Sequence, residues 1–422
     1  MKAETAPGAP SFGRTLFFYY IHVFCYDFIF GYAIFPAYFQ LRGTSPEIIG
    51  ALLAFWAACI ILFEIPAGLL ADIVDRRWLL VLSPLVKATC FVIWIFAGER
   101  TSFYFIGMAF WSLASALRSG TKEATLYEHI AASHQVHRYT AILGRERALQ
   151  EAATLTGAAM GGFIASRALE LAFWASLPPL AVCAVAACFI PDARETKTKG
   201  MNISLGLAPG LLRSTWTEYF TKGEVRYVTL YVALCVTLLG TLEDFNQLFL
   251  LAIHMPVWSF GIIAATMGIA RLTLAYHANS LERFPAVRWA APLACGFALL
   301  ISGALPAPYA LGAMASAFIL IAPLIVLTTS QFQKALDGSS RATTTSVMSA
   351  FMETLSVVFN VAIAFLFSQL NVLKTYQICG AYLVVFSIWE FTRRRRSARM
   401  ARPVATTKKL HTKDVVRNNR VS

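Results

Sequence analysis

The stretch AFWASLPPLAVCAVAACFI, residues 172–190, is apolar on every helical face and at both parities of a strand. Strands of a membrane barrel alternate apolar and polar side chains over roughly ten residues, so this run excludes that architecture. A helix satisfies its backbone hydrogen bonds internally, and it is the form in which such a run crosses hydrocarbon. Crossing takes roughly 20 mostly apolar residues, and windows of that length recur from Leu16 to Phe391. About twelve of them are expected, at 16–38, 48–71, 78–97, 103–124, 147–166, 171–190, 226–249, 259–276, 289–305, 309–332, 343–368 and 375–391. Composition agrees: 57% of residues are hydrophobic, 14% are charged and the mean hydropathy is +0.60, too much apolar surface for a fold in water.

Lysine and arginine divide unequally between alternate loops. One set holds Arg76, Arg77, Arg138, Arg145, Arg147, Arg194, Lys197, Arg283, Arg288, Lys334 and Arg341, whereas the other holds Arg42, Arg100, Arg167 and Lys374. Positive loops stay cytoplasmic, so both termini are expected there and the number of spans is even. Residues 1–13 lack a basic start and a short apolar core ending in a cleavage site, so the first helix is expected to remain uncleaved. The apolar pattern lapses at PDARETKTKG, residues 191–200, and a weakly amphipathic stretch follows around Leu211 to Phe220.

The expected organisation is an all-α membrane protein of twelve transmembrane helices in two six-helix bundles, 1–190 and 226–391. A linker with an interfacial helix covers 191–225, and a basic cytoplasmic tail covers 392–422. The net charge of +13 lies largely at the membrane surface, so Arg393 to Arg396 read as an anchor on anionic lipid and no nucleic-acid partner is expected. The eight cysteines stand singly in apolar windows without ligand spacing and read as packing residues. Neither a metal nor a cofactor is expected.

After the second window the chain reads Glu64-Ile-Pro66-Ala-Gly68-Leu-Leu-Ala-Asp72-Ile-Val-Asp75-Arg76-Arg77. This resembles the signature loop of the major facilitator superfamily: glycine, three residues, aspartate, two residues, a small residue and two basic residues, with Asp75 in place of the usual glycine. The resemblance implies that Gly68 packs the second helix closely on the eleventh and that Asp72 faces that helix's positive N-terminal end. It also implies that Arg76 or Arg77 bridges to Glu123 or Glu128 and latches an inner gate; the alternative is that both arginines are topology charges only. A missing Cβ permits close backbone approach, and a carboxylate at a helix N-terminus gains ~0.3–1 kcal/mol.

Arg118-Ser-Gly120-Thr-Lys122-Glu123-Ala-Thr-Leu-Tyr127-Glu128 is similar to a stretch in prokaryotic exporters of the superfamily, which would make Arg118 the family's buried arginine. Gly157-Ala-Ala-Met-Gly161-Gly162 resembles the glycine motif of its antiporters without the usual proline, and such spacing is also common in ordinary helix contacts.

Charges inside apolar windows cost ~2.5–3.5 kcal/mol each at mid-depth and so mark candidate sites. Asp27 lies about 17 Å into the first window at 1.5 Å per residue, and a continuous helix puts Tyr20, Phe24 and Gly31 on its face. It reads as a proton or substrate group, or as a buried hydrogen-bonded acid. His22 lies on another face and reads as a packed histidine. Ser346, Ser349, Glu353, Ser356 and Asn360 form a polar stripe that faces a cavity or glues helices together.

Glu243, Asp244, Asn246 and Gln247 form an external gate or a solvated helix end. Lys87 and Arg118 are the cations able to clamp Asp27, Glu353 or Glu64, because an intramembrane pair is far less unfavourable than a lone charge. Glu151 is expected to pair with Arg145 or Arg147.

The function expected is alternating-access secondary transport, as proton-coupled export of a small hydrophobic or cationic compound or metabolite from a bacterial plasma membrane by a monomer. Uptake by symport uses the same architecture. A membrane enzyme or a transport-derived sensor lacks support, since no metal spacing, GxSxG elbow or phosphate loop is present.

Overall fold

A computed structural model describes residues 12–192, 223–284, 286–336 and 341–418. The linker expected at 191–225, with its interfacial helix, lies almost wholly outside them. All regular elements among the described residues are helical. Nine helical segments among them are long and apolar enough to cross a membrane. The other three expected windows, 103–124, 147–166 and 289–305, also fall on helices, which are shorter or carry more charge. Side chains such as Leu62, Ile65, Val185, Phe365 and Val385 stand exposed around the outside, as lipid contact requires.

The first window is broken where a continuous helix was expected. Helix α1 (Phe12–Asp27) ends at the candidate acid, a 3-10 turn covers Phe30–Ala33, and α2 (Phe35–Leu41) completes the crossing. A break exposes backbone donors that lipid cannot satisfy. Ser176 of the sixth window resolves this, its Oγ accepting from the N–H groups of Phe30 at 3.0 Å and Gly31 at 3.3 Å.

Helices α3 (Pro46–Ile73) and α4 (Arg76–Ala97) follow the expected spans. The fourth window departs from expectation: α5 (Thr101–Arg118) stops, Gly120 takes φ +67°, and α6 (Thr121–Ala132) restarts in a new direction. Only a residue without Cβ adopts that backbone freely.

Helices α7 (Tyr139–Ala165) and α8 (Leu171–Cys188) complete the first half. The seventh window is interrupted too, as α9 (Gly223–Tyr231), a π-turn (Val232–Val236), α10 (Thr237–Glu243) and α11 (Asn246–Ala252). Then come α12 (Val257–Tyr276), the short α13 (Ala278–Glu282), α14 (Val287–Ser302) and the pair α15 (Ala307–Leu320) and α16 (Ala322–Ala335). Last are α17 (Arg341–Gln369) and α18 (Val372–Asn418). The final helix runs on through the arginines into the segment expected as the basic cytoplasmic tail. Glu390, fully buried, pairs with Arg393 at 3.1 Å and with Arg394, and the Tyr227 hydroxyl donates to it at 2.7 Å. These contacts bind the start of the seventh span to the end of the twelfth.

The two halves meet along two helix pairs, α3 with α17 and α7 with α12. A Cβ added at Gly50 of α3 would stand 2.6 Å from the Ala364 Cβ, and one at Gly162 would stand 2.7 Å from the Trp258 carbonyl oxygen and 3.0 Å from the Gly261 nitrogen. These contacts lie at the end opposite Arg76, Arg77 and Arg138, which we term the basic end. Toward the basic end the pair α3 and α17 separates. Gly68 has open space where a Cβ would stand, so the close packing of Gly68 on the eleventh helix is absent from this conformation.

Candidate functional site

Asp27 closes α1, and two neighbours bring donors to its carboxylate. Arg118, at the end of α5, reaches Oδ2 with Nη2 at 3.1 Å, and Gln150 of α7 donates Nε2 to the same oxygen at 3.2 Å. The site therefore ties together the broken first span, the broken fourth span and the fifth. A charged hydrogen bond inside a low-dielectric site is strong, and removing one partner leaves the other uncompensated.

Tyr26 lies between two cations. The Arg118 guanidinium carbon is 3.9 Å and the Lys87 ammonium 3.8 Å from its ring centroid, the range of a cation–π contact. Lys87 is 1% exposed and donates to the Tyr26 carbonyl at 3.1 Å and to the Tyr32 hydroxyl. It thus holds both sides of the break that follows Asp27. No carboxylate lies within salt-bridge distance of it among the described residues.

These groups line a cavity of about 370 Å³ together with Trp56, Trp111, Ser115, Lys122 and Glu123. Lys122 is tied back to Glu146 at 2.5 Å, and Glu146, fully buried, also accepts from the Tyr19 hydroxyl at 2.9 Å. A second cavity of about 340 Å³ lies between the halves, walled by Glu151, Thr154 and Leu155 of α7, by Phe260, Gly268 and Arg271 of α12, and by Glu243, Asp244, Asn246 and Gln247 of the seventh span. Tyr32 borders both cavities. Glu243 pairs with Arg271, and Gln247 donates to the Tyr32 carbonyl at 3.5 Å, a long contact across the two halves.

The expected residues are therefore partly brought together. Asp27, Arg118 and Lys87 form one cluster, and Glu243 and Asp244 line the second cavity instead of an external helix end. Glu151 also faces that cavity and does not pair with Arg145 or Arg147 among the described ion pairs. Tyr20 and Phe24 do not line the first cavity: the Tyr20 hydroxyl donates to the Ile142 carbonyl at 3.4 Å and the Phe24 ring stacks on Phe28 at 5.3 Å. The aromatic wall is supplied by Tyr26, Tyr32, Trp56 and Trp111 instead.

The polar stripe of α17 divides. Asn360 is buried, Ser356 Oγ meets Thr241 Oγ1 at 3.1 Å, and Glu353 is exposed, lines neither cavity and lies within electrostatic reach of Glu64 and Asp244. The stripe therefore lies partly in a helix contact, at Ser356 and Asn360, and partly in the open, at Glu353.

In the signature loop Arg76 pairs with Glu128 of α6, whereas Arg77 lies over the Trp78 ring at 4.9 Å and Glu123 turns to the cavity. The side chain of Asp72 lies outside the described residues. The Arg76–Glu128 pair stays within the first half, so it does not bridge the gap to the second.

Gly157 and Gly161 carry the break of span one: Cβ atoms there would stand 3.0 Å from the Ile29 nitrogen and 2.1 Å from the Phe30 carbonyl oxygen. His22 is packed as expected, its Nδ1 at 3.1 Å from Cys183 Sγ. Arg271, Gln150 and Glu146 were missed by sequence reasoning. Arg271 left a signal, a basic residue inside the window 259–276.

The family model of the Major Facilitator Superfamily matches residues 16–361. No curated protein matches the chain in sequence. Among solved structures, a mutant of the nucleoside transporter NupG superposes with TM-score 0.68 at 14% identity, covering 90% of this chain and 99% of that one. A D-xylose-proton symporter gives 0.66 at 13%, covering 90% and 96%. An auto-inhibited peptide transporter of the POT family gives 0.66 at 13%, covering 91% and 97%. At these identities the likeness is one of fold.

Proposed function

This chain belongs to the Major Facilitator Superfamily and is a secondary transporter, and we propose that it couples proton movement to export of a small aromatic or cationic compound by alternating access. The observation that carries the proposal is the Asp27 carboxylate, held by Arg118 and Gln150 beside a cavity at the break of the first span. Protonating that carboxylate removes the charge on which both donors converge. Arg118 is then released, and the first, fourth and fifth spans are free to rearrange against one another. Reloading Arg118 onto the ionised acid completes the cycle.

Export is favoured over uptake by the resemblance of the Arg118 stretch and of the Gly157 motif to exporters. Glu151 and Asp244 on the second cavity suit a cationic group, and Trp56 and Trp111 suit an apolar ring. The positive loops support a reading with the termini in the cytoplasm and the basic end of the molecule at the inner face of a bacterial plasma membrane. The two bundles, 1–190 and 226–391, are the bodies that rock. The protein acts as a monomer on its substrate and protons.

The test is proton flux in proteoliposomes with candidate compounds. Substrate-evoked flux in the wild type, lost in Asp27→Asn and kept in His22→Ala, supports the scheme. Undiminished flux in Asp27→Asn removes Asp27 from coupling, and a compound gradient that draws protons in the same direction assigns symport.

A further inference from the structure

Around Tyr26 the first cavity gathers two cations, Lys87 and Arg118, and one carboxylate, Asp27, which Arg118 and Gln150 already occupy. Lys122 is neutralised by its own partner, Glu146. Glu123 is exposed and lies beyond the Gly120 break. The deep part of the cavity therefore holds one positive charge, on Lys87, that no described carboxylate pairs.

Hydrogen-bond donors are in surplus there as well. An ammonium has three protons, and Lys87 places two of them. The Trp56 indole N–H and the Arg118 Nε–H are buried without an acceptor, against one unmatched acceptor in the cluster, Gln150 Oε1. Buried donors normally find partners, so an unmatched group of them beside a cavity marks a place for an acceptor that arrives from outside. The walls specify the rest of that molecule. Trp111 stacks on Tyr32 at 5.5 Å with an interplanar angle of 12°, and Trp56 closes on Trp111 at 6.0 Å and 60°. Flat aromatic surfaces around about 370 Å³ suit a ring system of one or two fused rings.

We propose that the transported compound carries a carboxylate on a planar aromatic ring, with the carboxylate seated at Lys87 and the ring against Trp56 and Trp111. The proposal rests on the transporter reading and narrows its substrate class. Any cationic group of the same molecule would lie toward Asp244 and Glu151, since Tyr32 borders both spaces.

The experiment is calorimetric titration of the purified full-length protein with 2-naphthoate and with 2-naphthamide, which share the ring and differ in charge. The expected result is tighter binding of the carboxylate by about tenfold or more, the scale of one charged hydrogen bond. Lys87→Met abolishes that preference, Lys87→Arg retains most of it, and Trp111→Leu weakens both ligands alike. A lysine that only supports the fold gives a Lys87→Met protein of lower thermal stability with its carboxylate preference intact, which overturns the proposal. Equal affinity of the wild type for the two ligands, or no binding of either, also overturns it. If the preference is missing while Asp27-dependent proton flux persists, the substrate class fails and the transporter reading stands. Carboxylate-selective binding at Lys87 without any substrate-evoked flux leaves the site and removes the reading.

Discussion

Two glycines on one helix, Gly50 and Gly68 of α3, behave in opposite ways. Gly50 is pressed against Ala364 of α17, where a Cβ has no room, whereas Gly68, 18 residues further along, has no atom of the described residues within 4 Å of where its Cβ would stand. The sequence feature is the same, an absent side chain on a helix that faces its counterpart in the other half. The difference lies in the conformation: the halves are closed together at one end and apart at the basic end. Gly68 has a use only in a second conformation, in which the closed and open ends exchange. Exposure of Glu64 on α3 and Glu353 on α17 fits the same account.

That comparison can be broken at several places. The largest effect is expected at Gly161, which bears the broken first span. Gly161→Ala puts a methyl 2.1 Å from the Phe30 carbonyl oxygen, and we expect loss of most folded protein, a destabilisation of about 3 kcal/mol or more, read by size-exclusion yield and thermal unfolding. Next is Asp27→Asn, which leaves Arg118 buried without its counter-charge. Substrate-driven proton flux should fall by about a hundredfold, equivalent to ~3 kcal/mol, with the fold retained.

Glu128→Gln breaks the pair with Arg76 on a partly exposed surface and should slow transport roughly two- to fivefold, the scale of about 0.5–1 kcal/mol. Arg76→Gln should add nothing further in the double variant. Last is Gly68→Ala, where no loss of stability is expected. In the open space around that residue alanine, the better helix former, should raise stability by up to about 1 kcal/mol, while turnover falls because the second conformation becomes strained. Equal stability losses from alanine at Gly50 and Gly68 would contradict the asymmetry.

Much of the fold was legible because lipid is a stringent solvent. Long apolar runs have one viable form, and expected windows such as 48–71 and 78–97 coincide with α3 and α4. The interruptions were not legible, since each depends on a partner distant in sequence. The break after Asp27 requires Ser176 to receive two backbone donors and Gly157 and Gly161 to admit the turn.

The same cause explains the aromatic wall. Counting faces from Asp27 selected Tyr20 and Phe24, whereas the cavity takes Tyr26, the neighbour of Asp27 in the same helix, and Tyr32, which the turn after the break brings round. Asp27, Lys87 and Arg118 stood out as charges in apolar windows, but which cation takes which acid is a matter of packing. Glu353 was read from its place on the polar stripe, and a stripe does not reveal whether two helices are together or apart at that level.

The most direct test of alternating access uses the contact between Gly50 and Ala364. Cysteines introduced at both positions need a Cβ separation of about 3.5–4.5 Å, so the helices part by about 1 Å to accept the bridge. Oxidised protein should then be fixed closed at that end, transport in proteoliposomes should stop, and reductant should restore it to the level of the unoxidised double variant, with neither single cysteine variant responding to oxidant or reductant. Undiminished transport by fully cross-linked protein would show that this end does not open, and alternating access between the two halves would be wrong.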